Sequence, residues 1–345
     1  MIRRTLIAGI SVGLVMLTAC RKDRPEVPEE TPVVVRNNGG AYITNEGNFQ
    51  WGNASVSYYD IATGSVAEDL YAPANGAGLG DVCQSMSLFN GKAYVVVNNS
   101  GKVVVVDPAT FTLSATITGF RSPRYFLPVS NGKAYVTDLY AGRIAVVDLN
   151  SNSITGSIRC PGWTEELALA YGKAFVTDQQ RPYVYVIQTS TDQVVDSIPV
   201  SRGGNSIVED AEGKLWVACS GGNGTSPALY RINPVDLQVE ASFPFQGPSD
   251  SPWRLSITGD HRTLYFLNGP VYRMAITDTQ LPGTPFIAAE GRNLYGLGVE
   301  PATGVVYLSD AIDYVQRGRV FRYRPDGTLI NDFLAGIVPG GFRFN

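Results

Sequence analysis

The 345-residue chain sets 27 Lys and Arg against 31 Asp and Glu, a formal charge of -4, and carries no basic stripe, which argues against nucleic acid as a partner. Its 37 glycines, 21 prolines and 18 tyrosines favour strands and turns over helices, and its length suits one large all-β domain as well as two ordinary ones. A single histidine and no Cys/His cluster leave nothing in the pattern of a zinc site.

At the N-terminus, Arg3 and Arg4 precede an uncharged apolar stretch, residues 6–16, that is too short to span a bilayer and reads as a secretory signal. It ends in Leu17-Thr18-Ala19-Cys20, the pattern of a lipoprotein cleavage box, so residues 1–19 are expected to leave as a signal peptide and Cys20 to carry lipid. Each buried methylene contributes roughly 0.8 kcal/mol, and more than one chain is needed for a stable membrane anchor. Residues 20–38 follow as a tether of charges and prolines with almost nothing to bury. Removing Arg3 and Arg4 from the 27 basic side chains leaves 25 against 31 acidic ones, a charge of -6. Position 21 is arginine, not the aspartate that usually retains lipoproteins in the inner membrane, and the tether resembles export signals of Bacteroidetes surface lipoproteins. The expected location is the outer membrane, facing outward.

Beyond residue 38 a repeat sets the architecture. Asn90-Gly91-Lys92-Ala93-Tyr94-Val95 recurs at residues 131–136, 171–176 and 212–217, with weaker copies around Tyr42, Tyr265 and Tyr307. The aromatics Tyr42, Tyr94, Tyr135, Phe175, Trp216, Tyr265 and Tyr307 recur roughly every 40 to 52 residues, the period of four-stranded propeller blades. Seven copies predict an all-β, seven-bladed β-propeller over residues 39–345. Within the unit at 125–158, a strand to Val129, an Asn131-Gly132 turn with the positive φ of a two-residue hairpin, and three further strands are expected. Short apolar runs suit blades covered on both faces. No strand precedes Gly39, whereas Pro339-Gly340-Gly341-Phe342-Arg343-Phe344 follows the last unit, so the C-terminus is expected to supply the first blade's missing strand and close the ring. Cys83, Cys160 and Cys219, an odd number, read as small buried hydrophobes rather than a disulfide framework.

Val136-Thr137-Asp138 and Val176-Thr177-Asp178 after an aromatic resemble YVTN-type units of YncE-like propellers. Asn45-Glu46-Gly47-Asn48-Phe49, the stretch from Gly52 to Asp60, Leu79-Gly80-Asp81-Val82-Cys83-Gln84-Ser85-Met86 and Val97-Asn98-Asn99-Ser100-Gly101-Lys102 resemble the Bacteroidetes surface propellers typified by BtuG. That resemblance implies capture of cobalamin and its delivery to a TonB-dependent outer-membrane transporter, on which the propeller sits as a lid.

In a four-stranded blade, the loops joining strands two to three, and four to the next blade's first, emerge on one side. Here that set is long and rich in aromatic and amide side chains, while the hairpin turns opposite are short. The candidate ligand-binding residues lie in or beside those longer loops: Trp51, Asn53, Tyr71, Asn98, Arg124, Tyr125, Tyr140, Trp163, Gln179, Gln180, Arg202, Asn223, Trp253, Arg254, Tyr295 and Tyr314. The rings supply flat apolar area at low entropy cost, and Arg, Asn and Gln supply directional hydrogen bonds. A corrinoid suits that mixture, as does a glycan or a protein loop.

Chemistry is sparse. His261 falls in a hairpin turn on the opposite face, residues 221–226 lack the lysine of a phosphate loop, and residues 76–80 lack a dinucleotide fingerprint. No cofactor and no enzymatic activity are expected. One alternative is a calcium-dependent, lactonase-like hydrolase: Asn45, Val97, Asp138, Asp178, Cys219, Asn268 and Asp310 stand three residues past each aromatic, and a ring of such oxygens at the tunnel mouth could hold Ca²⁺. Against it, Asn and Asp at strand ends commonly bond their own turns. A glycan- or protein-binding adhesion module is the other alternative.

Overall fold

The computed structural model describes residues 39–345, so the signal sequence, Cys20 and the tether lie outside the described residues. Within them, seven antiparallel sheets form the blades of a propeller, numbered from the N-terminus: 40–67 with 339–344, then 83–118, 123–159, 164–199, 204–244, 253–275 and 294–337. The innermost strands are Pro339–Phe344, Cys83–Phe89, Pro123–Ser130, Thr164–Ala170, Gly204–Glu209, Trp253–Ile257 and Leu294–Val299. Each packs on the next, and the seventh returns to the first.

The repeated aromatic explains why the blades pack. It sits on the second strand of every blade, and all seven, from Tyr42 to Tyr307, are buried. Alternation along the strand sends that ring into the following blade. Tyr94 joins Phe126 and Val136 of blade 3, Trp216 joins Leu264 and Phe266 of blade 6, and Tyr307 joins Ala41 and Ile43 of blade 1. Burying such a ring stabilises by about 2 kcal/mol, repeated at seven interfaces. Cys83, Cys160 and Cys219 are unpaired and buried in these clusters.

Closure follows the expected route. Pro339–Phe344 pairs antiparallel with Gly40–Asn45, Ile43 opposite Phe342 and Ala41 opposite Phe344, so blade 1 is completed by the chain's other end.

Two local expectations need correction. Positive φ occurs at Asn90 (47°) and Gly91 (69°), but not at Asn131 or Gly132. There Pro128, which has no N–H to donate, sits beside a slip in register between Pro128 and Ser130, and the hairpin turns differently. Blade 6 has three strands instead of four, with a single bridge from Val271 to Ile287 in the outer position. Pro282 and Pro285 remove ladder donors just before it. One short helix, Tyr71–Asn75, interrupts the passage from blade 1 to blade 2.

Candidate functional site: a funnel built from seven bulges

The innermost strand of every blade slips register against its neighbour at the end nearest the long loops. In blade 2, Cys83 pairs with Val97 and Ser85 with Val96, leaving Gln84 extra. In blade 5, Gly204 pairs with Cys219 and Ser206 with Ala218, leaving Asn205 extra. Such bulges bend a strand and re-aim the side chain they expel. The second residue of each innermost strand therefore occupies an equivalent place about the axis: Gln84, Arg124, Glu165, Asn205, Arg254, Tyr295 and, in the closing strand, Gly340. Six of them, all but Gly340, line a funnel of about 340 Å³, together with Glu46, Phe49, Val82, Asn98, Tyr125, Trp163, Glu166, Gln179 and Trp253.

One side of the funnel is a closed polar chain. Arg124 donates from Nε to Glu165 Oε2 at 2.8 Å, makes a second bond from Nη2 to Glu165 Oε1, and reaches Gln84 Oε1 from Nη1 at 2.5 Å. Trp163 Nε1 donates to the same carboxylate at 2.8 Å, and its ring lies 5.6 Å from the Arg124 guanidinium. Burial opposes the charge on Arg124, but the paired Glu165 more than offsets it and holds the guanidinium above its ordinary pKa.

The opposite side centres on Arg254, held at φ +54° beside its own bulge. Its guanidinium lies 5.1 Å from the Trp253 ring and 5.5 Å from the Tyr295 ring. Nε donates to the Tyr295 carbonyl and Nη1 to the Tyr125 hydroxyl, each at 3.3 Å, while Glu46 stands 4.0 Å from Nη2 and accepts the Tyr295 hydroxyl at 2.9 Å. The Arg254–Tyr125 bond crosses from blade 6 to blade 3. It marks a constriction, below which the axial tunnel opens to about 580 Å³. Burial pushes the Glu46 carboxyl up against the pull of Arg254, and pushes Glu166 up to about 7 against the same guanidinium.

Of the sequence candidates, Asn98, Arg124, Tyr125, Trp163, Gln179, Trp253, Arg254 and Tyr295 come together in the funnel. Tyr314 stands at its rim, edge-on to Tyr295 at 5.7 Å. Trp51 is 78 % exposed, and Asn53 is tied to Asn48 within its own loop. Tyr140 lies beside Arg121, Arg202 bonds the Gln180 carbonyl, and Asn223 sits in an exposed turn. None of these six lines the funnel. Tyr71 is a correction: it is 5 % exposed, packed in the core between blades 1 and 2. Sequence reasoning missed Glu46, Gln84, Glu165, Glu166 and Asn205. A signal was available for four of them, the polar residues one or two places inside the start of each innermost strand.

The seven residues past the aromatics do not line the mouth either. Asp138 accepts the backbone N–H groups of Arg121, Ser122, Tyr140 and Ala141, Asp178 those of Gln180 and Arg181, and Asp310 those of Asn293 and Ile312. These carboxylates fix their own loops. A separate cleft on the hairpin face, lined by Thr258, Asp260, Arg273 and Pro301, draws only on blades 6 and 7.

Fold and site together define a seven-bladed propeller with one polar and aromatic funnel on its axis. The chain belongs to the family described as domain of unknown function DUF5074, which matches residues 39–318. No curated protein matches it. Among solved structures it is similar to a quinonprotein alcohol dehydrogenase-like protein from Bacteroides thetaiotaomicron, at 18 % identity and TM-score 0.70, covering 89 % of this chain and 78 % of that one. A putative 6-phosphogluconolactonase from Bacteroides fragilis matches at 13 % identity and TM-score 0.66, covering 90 % and 98 %. A functionally unknown protein from Desulfotomaculum acetoxidans matches at 14 % and 0.66, covering 88 % and 98 %. At these identities the likeness is one of fold.

Proposed function

We propose that this propeller is a lipid-anchored binding protein of the outer-membrane surface, without catalytic activity, that captures an amphipathic solute on its loop face. A corrinoid such as cobalamin is the first-choice ligand, and a TonB-dependent transporter is the partner that receives it. The observation that carries the reading is the bulge ring, through which six of seven blades aim a polar or aromatic side chain at one point. Arg124, Glu165, Gln84 and Trp163 bond one another, an arrangement that holds a shape rather than freeing a base or nucleophile.

A funnel of about 340 Å³ takes only part of a corrinoid. The macrocycle rests on the rim, where Phe49, Trp51 and Tyr314 are exposed, and a peripheral amide enters towards Gln84, Gln179 and Asn205. The lipobox and tether support the anchor, and the BtuG-like segments support ligand and partner. A glycan is the second reading, favoured by the flat exposed rings of Trp51 and Tyr140. Calorimetric titration with cyanocobalamin tests the first: heat is expected at micromolar concentrations, and its absence removes corrinoids. Retention on a polysaccharide column would then favour the second.

A further inference from the structure

The tunnel below the constriction has a different character from the funnel above it. Its charged lining consists of Glu166, Arg254 and Arg343, set among apolar wall residues and the hydroxyls of the innermost strands. Arg343 is carried by the closing strand. Its neighbours Phe342 and Phe344 turn into the interface with blade 7, at 5.8 and 5.0 Å from the Tyr307 ring, so alternation gives Arg343 the other side. Among the described residues the Arg343 side chain forms no hydrogen bond and no ion pair, and it is exposed to solvent. The surrounding walls lower its pKa, with no carboxylate to offset them. Arg254, at the upper end of the same cavity, has its nearest carboxylate 4.0 Å away and only neutral acceptors at 3.3 Å. A guanidinium offers five donors in a fork that fits an oxyanion, and Arg343 presents all of its donors to the solvent of the tunnel with none engaged by a described residue.

We propose that the axial tunnel is a second binding site, for an oxyanion of the phosphate or carboxylate class, held between Arg254 and Arg343. This site goes beyond the capture function of the loop face, and it can be read without the loop-face ligand. The anion is either free or the charged arm of a larger solute, and the chemistry that recognises it is the same.

The test is the melting temperature of the purified protein in inorganic phosphate and, separately, in n-butyl phosphate, with ionic strength held constant by chloride. A ligand that binds only the native state raises the melting temperature with concentration. Arg343→Gln should weaken the response to phosphate by at least about tenfold, the worth of one charge-assisted contact. Arg343→Lys should keep part of it, and Arg159→Gln, on the exposed outer strand of blade 3, should leave it unchanged. A response to phosphate alone identifies a free anion, and a response to the ester only identifies the arm of a larger solute. Both support the site. No response to either, or one undiminished in Arg343→Gln, would overturn it. Among the described residues the Arg343 side chain has no partner to lose, so that variant is expected to melt near the parent temperature without anion, and Arg343→Lys repeats the comparison if it does not.

Discussion

Tyr307 of blade 7 meets Phe344 of the closing strand edge to face, with ring centroids 5.0 Å apart. The contact joins the last complete blade to the strand that finishes the first, and it repeats the aromatic packing of the other interfaces. Deleting residues 342–345 should therefore lower the melting temperature of the whole domain. The milder Phe344→Ala should cost about 2 kcal/mol, less than a full core truncation because the ring is half-buried. Urea unfolding checks both. An unchanged midpoint in the deletion would mean that the ring closes by other contacts.

Arg124 and Glu165 form a two-pronged pair with side chains 15 % and 4 % exposed. Removing one partner strands the other in a low-dielectric site, so Arg124→Ala and Glu165→Ala are each expected to cost about 3 kcal/mol. The double variant should cost clearly less than their sum. A double-mutant cycle in urea measures this coupling, and simple additivity would show that the pair contributes nothing of its own.

Glu166 gives the stability curve a pH dependence of definite sign. Burial raises its carboxyl from the ordinary 4.5 to about 7, so between those values the native state holds a proton that the unfolded chain has released. The stability this group contributes is full below about 4.5 and is lost as pH rises through about 7. Glu166→Gln, which cannot ionise, should flatten that part of the profile and be more stable than the parent at pH 8. Chemical denaturation at a series of pH values reads the difference, and parallel profiles would place the ionised carboxylate in a better-solvated setting than described above.

Trp253 stacks on Arg254 and meets Tyr295 edge-on at 5.3 Å, which holds it as an aromatic wall of the funnel. If solute is gripped there, Trp253→Ala should weaken binding by about 2 kcal/mol, as at a hot spot, while Trp51→Ala at the exposed rim costs less. Titration of the two variants side by side with cyanocobalamin compares them. Equal losses would move the contact outward from the axis.

The fold was legible because one packing rule is written seven times. An aromatic at a fixed place in each repeat must be buried against the next, and the orphan segment ending in Phe342 and Phe344 could satisfy no other blade. The site was legible where loop residues turn inward, as Trp163 and Trp253 do. Elsewhere, reading loops for large side chains selected exposed tips such as Trp51 and Tyr140, which do not line the funnel, and Tyr71, whose short helix folds it into the core. Glu165, Glu166 and Gln84 escaped because large loop side chains drew the choice, while the polar residues just inside each innermost strand, the one signal for them, show only through a bulge that ordinary alternation does not foretell. Blade 6 lost its fourth strand through prolines at 282 and 285, a local veto on the repeat's average pattern.

On the proposed function, solute is held where the bulges meet. Hydrogen exchange of the backbone amides, with and without saturating cyanocobalamin, reads this directly. The expected result is slowed exchange in residues 46–54, 98–101, 163–166 and 253–254, with the hairpin turns at 90–91, 131–132 and 260–262 unaffected. Slowing confined to those turns, or none at a concentration where calorimetry shows saturation, would contradict it.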